Sequence, residues 1–166
     1  MADMAGEQAT RLIDVTLDQR SVLRWTEEIE QERRVAIFDL LEDNVFAPKS
    51  PLPGNYPGPF KLHIRIEDGR LVFELYNHDN GYLTAFRQAL TPFRRIVKSY
   101  FEVCDSYYRA VRDSTPQRIE ALDMGRRSLH DEGSMLLRDQ LASKVKIDDN
   151  TARRLFTLIC VLHIRN

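Results

Sequence analysis

The 166-residue sequence has two cysteines, one tryptophan and no apolar run approaching the ~20 residues of a membrane-spanning helix. Cys104 and Cys160 lie far apart and have no C-x-x-C partner, which excludes a disulfide scaffold and predicts buried, reduced thiols. His63, His78, His130 and His163 show neither H-x-H nor H-E-x-x-H spacing, so no metal site is expected. The seven glycines form neither a P-loop nor a G-x-G-x-x-G fingerprint, and no G-x-S-x-G elbow occurs, so no cofactor is expected. Neither sign of charge dominates: 24 Lys+Arg stand against 25 Asp+Glu. That balance argues against a wholly basic nucleic-acid binder. Residues 1–10 are too polar and acidic for a signal peptide. The expectation is a soluble, cytoplasmic, non-membrane protein: a disordered tail at 1–10 and one domain over 11–166, large enough to fold without a metal or disulfide.

What is present is strong packing grammar. Residues 11–18 alternate Ile13, Val15 and Leu17 with polar partners, the period of a half-buried strand. Residues 26–44 read as an amphipathic helix capped by Thr26, with an apolar stripe through Val35, Phe38 and Leu41 joined by Ile37 and Leu40. Residues 47–59 hold five of the seven prolines and read as a surface loop that neither ladder nor helix can cross. Asp68-Gly69 between two alternating runs predicts a type I′ hairpin, with Ile66 opposite Leu71, Ile64 opposite Phe73 and Leu62 opposite Leu75 on its core face. Residues 82–90 continue the meander.

Thr91-Pro92 and Thr115-Pro116 each open a helix as cap plus proline. The first presents Phe93, Ile96, Val97, Tyr100, Cys104, Tyr107, Tyr108 and Val111 inward. The second runs to about Ser143, and its Gly125 and Gly133 imply either a break or a close approach by another backbone. A last helix over 150–164, capped by Asp148 or Asp149, is apolar nearly all round and belongs at the centre of the helical layer. The fold class is therefore α+β: an antiparallel β-meander of three to four strands packed on one face by about four helices, with a helix-rich C-terminal half.

Charge is unevenly spread. Residues 26–43 carry seven acids against Arg33 and Arg34, a net of −5, while residues 92–112 carry five bases against Glu102 and Asp105, a net of +3. These surfaces could attract each other within a monomer or across a dimer. The best candidate for catalysis is Asp123, His130 and Glu132, since an imidazole beside carboxylates is tunable around neutral pH. Candidate anion-binding groups are the pairs Arg94-Arg95, Arg126-Arg127 and Arg153-Arg154, two of them in first helical turns where positive charge needs a negative neighbour. Ordinary ion pairs, Asp123–Arg127 and Arg127–Asp131 among them, account for these residues more economically.

Four blocks taken together, residues 32–44 (ERRVAIFDLLEDN), 90–108 (LTPFRRIVKSYFEVCDSYY), 119–134 (IEALDMGRRSLHDEGS) and 148–163 (DDNTARRLFTLICVLH), resemble uncharacterised protein family 0262 of the UPF series. The resemblance runs from Ile13 onward and departs at the tail, at residues 19–25 and in the Pro/Gly loop. It implies a small bacterial protein of this length and supplies no mechanism. The expectation is an accessory or regulatory protein that acts by binding a protein partner, or a second copy of itself, through the acidic first helix or the basic aromatic second one. The alternatives are an anion- or phosphate-binding protein or small enzyme built on Asp123, Arg126, Arg127 and His130. RNA binding through the arginine pairs ranks below these.

Overall fold

A computed structural model describes residues 9–18 and 26–162. Strand β1 (Leu12–Leu17) is followed by helix α1 (Glu27–Glu42), strand β2 (Phe46–Pro48) and the strands β3 (Phe60–Glu67), β4 (Arg70–Tyr76) and β5 (Tyr82–Ala89). Helices α2 (Thr91–Asp113) and α3 (Pro116–Leu141), strand β6 (Val145–Ile147) and helix α4 (Asp149–Leu162) complete the chain. The α+β class stands. Most of the expected tail and the end of the last helix, with His163, lie outside the described residues.

The hairpin is the anchor of the sheet. Asp68 and Gly69 both adopt positive φ, 51° and 72°, as a type I′ turn demands, and β3 and β4 pair antiparallel in the anticipated register. Strand β5 extends the meander antiparallel to β4. The expectation of a wholly antiparallel sheet needs correction: β1 joins the other edge parallel to β3, giving the order β1-β3-β4-β5. Between β1 and β3 the chain passes through α1, the crossover that a parallel pair requires. A register shift between Leu12 and Asp14 also breaks the simple alternation in β1. Leu12, Val15 and Leu17 are buried, whereas Ile13 turns outward. The Pro-rich loop does carry a ladder at its start, because β2 pairs with β6 in a separate two-stranded sheet whose edges leave room for Pro48.

Capping fixes most helix starts. The backbone N–H of Ile29 donates to Thr26 Oγ1 at 3.2 Å, that of Arg118 to Thr115 Oγ1 at 3.3 Å, and that of Thr151 to Asp148 Oδ1 at 2.9 Å. Thr91 is not a cap; it already lies inside α2, and Leu90 precedes the helix without a side-chain bond. Helix α4 is buried from Thr151 to Leu162 except along the half-buried line of Arg153, Arg154 and Thr157, and packs against both α1 and α3. On α1 the buried residues are Ala36 and Leu40, with Ile29, Ile37 and Leu41 beside them, while Val35 (45% exposed) and Phe38 (64% exposed) face outward. The expected inward stripe is thus turned toward Ala36 and Leu40 on a helix that packs against α4. Val111, likewise expected inward, is exposed at the far end of α2.

Candidate functional site: a cleft between α1 and α2

Helix α3 runs unbroken through Gly125 and Gly133, so the predicted cluster lies on one rod. Asp123 accepts from Arg126 at 2.6 Å and meets Arg127 at 3.0 Å. Asp131 pairs with Arg153 on α4 instead of Arg127. Arg95 meets Glu132 at 3.6 Å and Arg154 meets Asp39 at 3.7 Å. Five of the six candidate arginines therefore face one of the chain's own acids, and Arg94 is exposed on α2.

His130 sits apart from its neighbouring acids, wedged edge-on against Tyr100 and Phe156 at centroid distances of 5.7 and 5.4 Å. Its Nε2 lies 2.7 Å from Thr157 Oγ1, and Thr157 donates its only hydroxyl proton to the Arg153 carbonyl at 3.2 Å. The other ring nitrogen, Nδ1, is buried with no hydrogen-bond partner among the described residues. Burial, with Arg153 adding to it, pushes the imidazole down to about 4, so the ring is neutral at pH 7.

The recessed space lies elsewhere, where α1 faces α2. Tyr108 donates to Glu32 Oε1 at 2.8 Å, and Arg112 reaches Glu28 at 3.7 Å. On one side of this bridge is a cleft of about 430 Å³ with Ile29, Val97, Phe101 and Cys104 among its walls. Its charged groups are Glu28, Glu32, Glu102 and Asp105 against Lys98, Arg109 and Arg112. On the other side a shallower cavity of about 720 Å³ is lined by Glu32, Val35, Tyr100, Tyr108, Arg126 and Thr157, with further polar groups of α1. Glu28, Glu32 and Tyr108 line both. Asp123, His130 and Glu132 line neither.

Glu32 is the unusual group. Burial raises its pKa against the opposing influence of the Tyr108 hydroxyl and Arg126. Arg126 is already held by Asp123 and lies over the Tyr107 ring at 4.5 Å. Burial also pushes the Cys104 thiol up to about 12, so this wall of the cleft is an unreactive thiol. Among the described residues no group of three or more His, Cys, Asp or Glu is placed to hold a metal. Sequence reasoning passed over Glu32 and Tyr108. A signal existed: Glu32 falls between Ile29 and Ala36 on the inward line of α1, where an acid is costly unless it has a role.

The family described as Uncharacterised protein family (UPF0262) matches residues 9–165. The chain belongs to this family. Among its UPF0262 relatives, a protein of Sphingopyxis alaskensis is 52% identical over 161 residues, covering 97% of this chain and 98% of that one. One of Rhodopseudomonas palustris is 55% identical over 153 residues, covering 92% and 91%. One of Rhizobium etli is 54% identical over 155 residues, covering 93% and 96%. No solved structure matches this UPF0262 chain. Among its described residues no helix is long and apolar enough to cross a membrane.

Proposed function

We propose that this UPF0262 chain is an accessory or regulatory protein of the cytoplasm, and that it works by binding a segment of a protein partner in the cleft between α1 and α2. The observation that carries the reading is the cleft itself: among the described residues the two helices are joined there by one hydrogen bond and one long ion pair, over a partly apolar floor. Concave, mixed apolar and polar surfaces of this size are the usual form of a recognition site. Val35 and Phe38, exposed on α1 beyond Glu32, offer a partner further apolar contact. The competing anion and enzyme readings lose ground because the arginines meet internal acids and the Asp123/His130/Glu132 trio lines neither cavity.

A photo-crosslinking residue placed at Phe101 tests this in the native bacterium. The expected result is one specific adduct, its mass distinguishing a second copy of the chain from another protein. No such adduct should form from Met124, which is exposed on α3 and lines neither cavity. Equal adducts from both positions, or none from position 101, would contradict the reading.

A further inference from the structure

We propose that the partner's segment is anchored by one lysine, its ammonium seated on Glu32 Oε2 beside the Tyr108 hydroxyl and its methylene stem laid along Ile29, Val97 and Phe101. The inference rests on the reading of the cleft as a partner site and names the chemistry that the site selects.

Three observations point to a cation. Tyr108 occupies Oε1 of Glu32, while Oε2 has no hydrogen bond among the described residues and is not among the sealed, partnerless polar atoms. Arg126, which lines the second cavity with Glu32, is held 2.6 Å from Asp123. A carboxylate drawn into a partly apolar wall with one hydrogen bond is under-compensated, and an incoming positive charge removes that deficit. The bases in the same cleft do not serve this purpose. Lys98, Arg109 and Arg112 are exposed on α2, Arg112 is met by Glu28, and among the described residues none of the three comes within ion-pair distance of Glu32.

The geometry further favours lysine over arginine. A guanidinium gains most from engaging both oxygens of a carboxylate in a fork, and Tyr108 already holds one of them. An ammonium is a point charge and needs only the second oxygen. Its aliphatic stem suits the apolar part of the wall, as lysine stems do where the head alone needs a polar contact.

The probes are butylammonium, which reproduces the lysine side chain, butylguanidinium and neutral 1-butanol, each titrated into the isotope-labelled full chain and followed by amide and methyl NMR shifts. Butylammonium is expected to bind tightest of the three, with shifts centred on Ile29, Glu32, Phe101 and Tyr108. Glu32→Gln, which retains an acceptor for Tyr108, should weaken it about tenfold. Tyr108→Phe frees the second oxygen and should move the preference toward butylguanidinium. The spectra themselves report whether each variant is folded. Undiminished binding to Glu32→Gln, or a wild-type preference for butylguanidinium, overturns the anchor. Equal binding of 1-butanol also overturns it, while leaving a partner cleft that takes an apolar side chain. Glu32-dependent butylammonium binding without the Phe101 adduct would instead remove the partner reading, and with it the partner's lysine.

Discussion

Two seams of the helical layer, α3–α4 and α1–α2, are built in opposite ways. Between α3 and α4 the closure is tight: the ring of Phe156 lies over Gly133, where an added Cβ would come within 2.1 Å of it. Tyr100, His130 and Phe156, one ring from each of α2, α3 and α4, meet edge to face at 5.4–6.1 Å. Between α1 and α2 there is a cleft with charges of both signs, spanned by the Tyr108–Glu32 bond and the longer Arg112–Glu28 pair. A seam meant only to hold is filled with apolar volume, because burial is its main source of stability. A seam carrying an under-compensated acid and open volume sacrifices some of that stability, and such departures mark functional surfaces.

The contrast can be broken first at the tight seam. Gly133→Leu forces a branched side chain into the Phe156 ring and should cost about 4 kcal/mol, the upper end of overpacking effects, read from denaturant midpoints. A pH test of the same seam comes next. His130 is held down to about 4, against its ordinary 6.5, so the unfolded chain takes up this proton before the folded chain does. The stability it supports is present above pH 6.5 and is lost as pH falls toward 4, by up to about 3 kcal/mol. Denaturant melts at pH 7 and pH 4 should show that much more acid sensitivity in the wild type than in His130→Asn.

At the open seam the effects are smaller and one has the opposite sign. Tyr108→Phe removes a hydrogen bond to a carboxylate and should cost about 1.5 kcal/mol at pH 7. Glu32→Gln keeps that acceptor and removes the half-buried charge. Because the folded pKa of Glu32 is raised, its contribution falls as pH rises through that value. The variant should therefore gain stability over the wild type as pH increases, and lose the advantage at pH well below 4.5. The smallest effect contrasts the two α3 glycines. A Cβ at Gly125 meets only Val103 Cγ1 at 3.9 Å, so Gly125→Ala should stabilise the chain by about 0.5–1 kcal/mol. A loss there instead would show that the two glycines are constrained alike.

What could be read in the sequence followed from local rules. The Asp68-Gly69 turn dictates the hairpin register, and the nearly all-apolar run from Leu155 onward in α4 dictates its burial. The errors came where a partner far along the chain decides the outcome. Which side of α1 turns inward depends on α4, so Val35 and Phe38 were placed wrongly although the helix was placed well. The parallel edge strand β1 and the β2–β6 pair join segments 48 and more than 90 residues apart, beyond the reach of any local pattern. The site suffered in the same way. Asp123, His130 and Glu132 are conspicuous because they stand close together in sequence, whereas Tyr108 and Glu32 are 76 positions apart and meet only in the fold. The second glycine also differed in detail: a side-chain ring rather than a backbone makes the close approach at Gly133.

The state of Glu32 bears most directly on the open seam. Carbon-13 labelling of the glutamate carboxyls allows its titration to be followed alone, using Glu32→Gln for assignment, with and without butylammonium. The midpoint is expected above the ordinary 4.5 and to fall when the amine is added. A midpoint at or below 4.5 that the amine leaves unmoved would contradict that expectation.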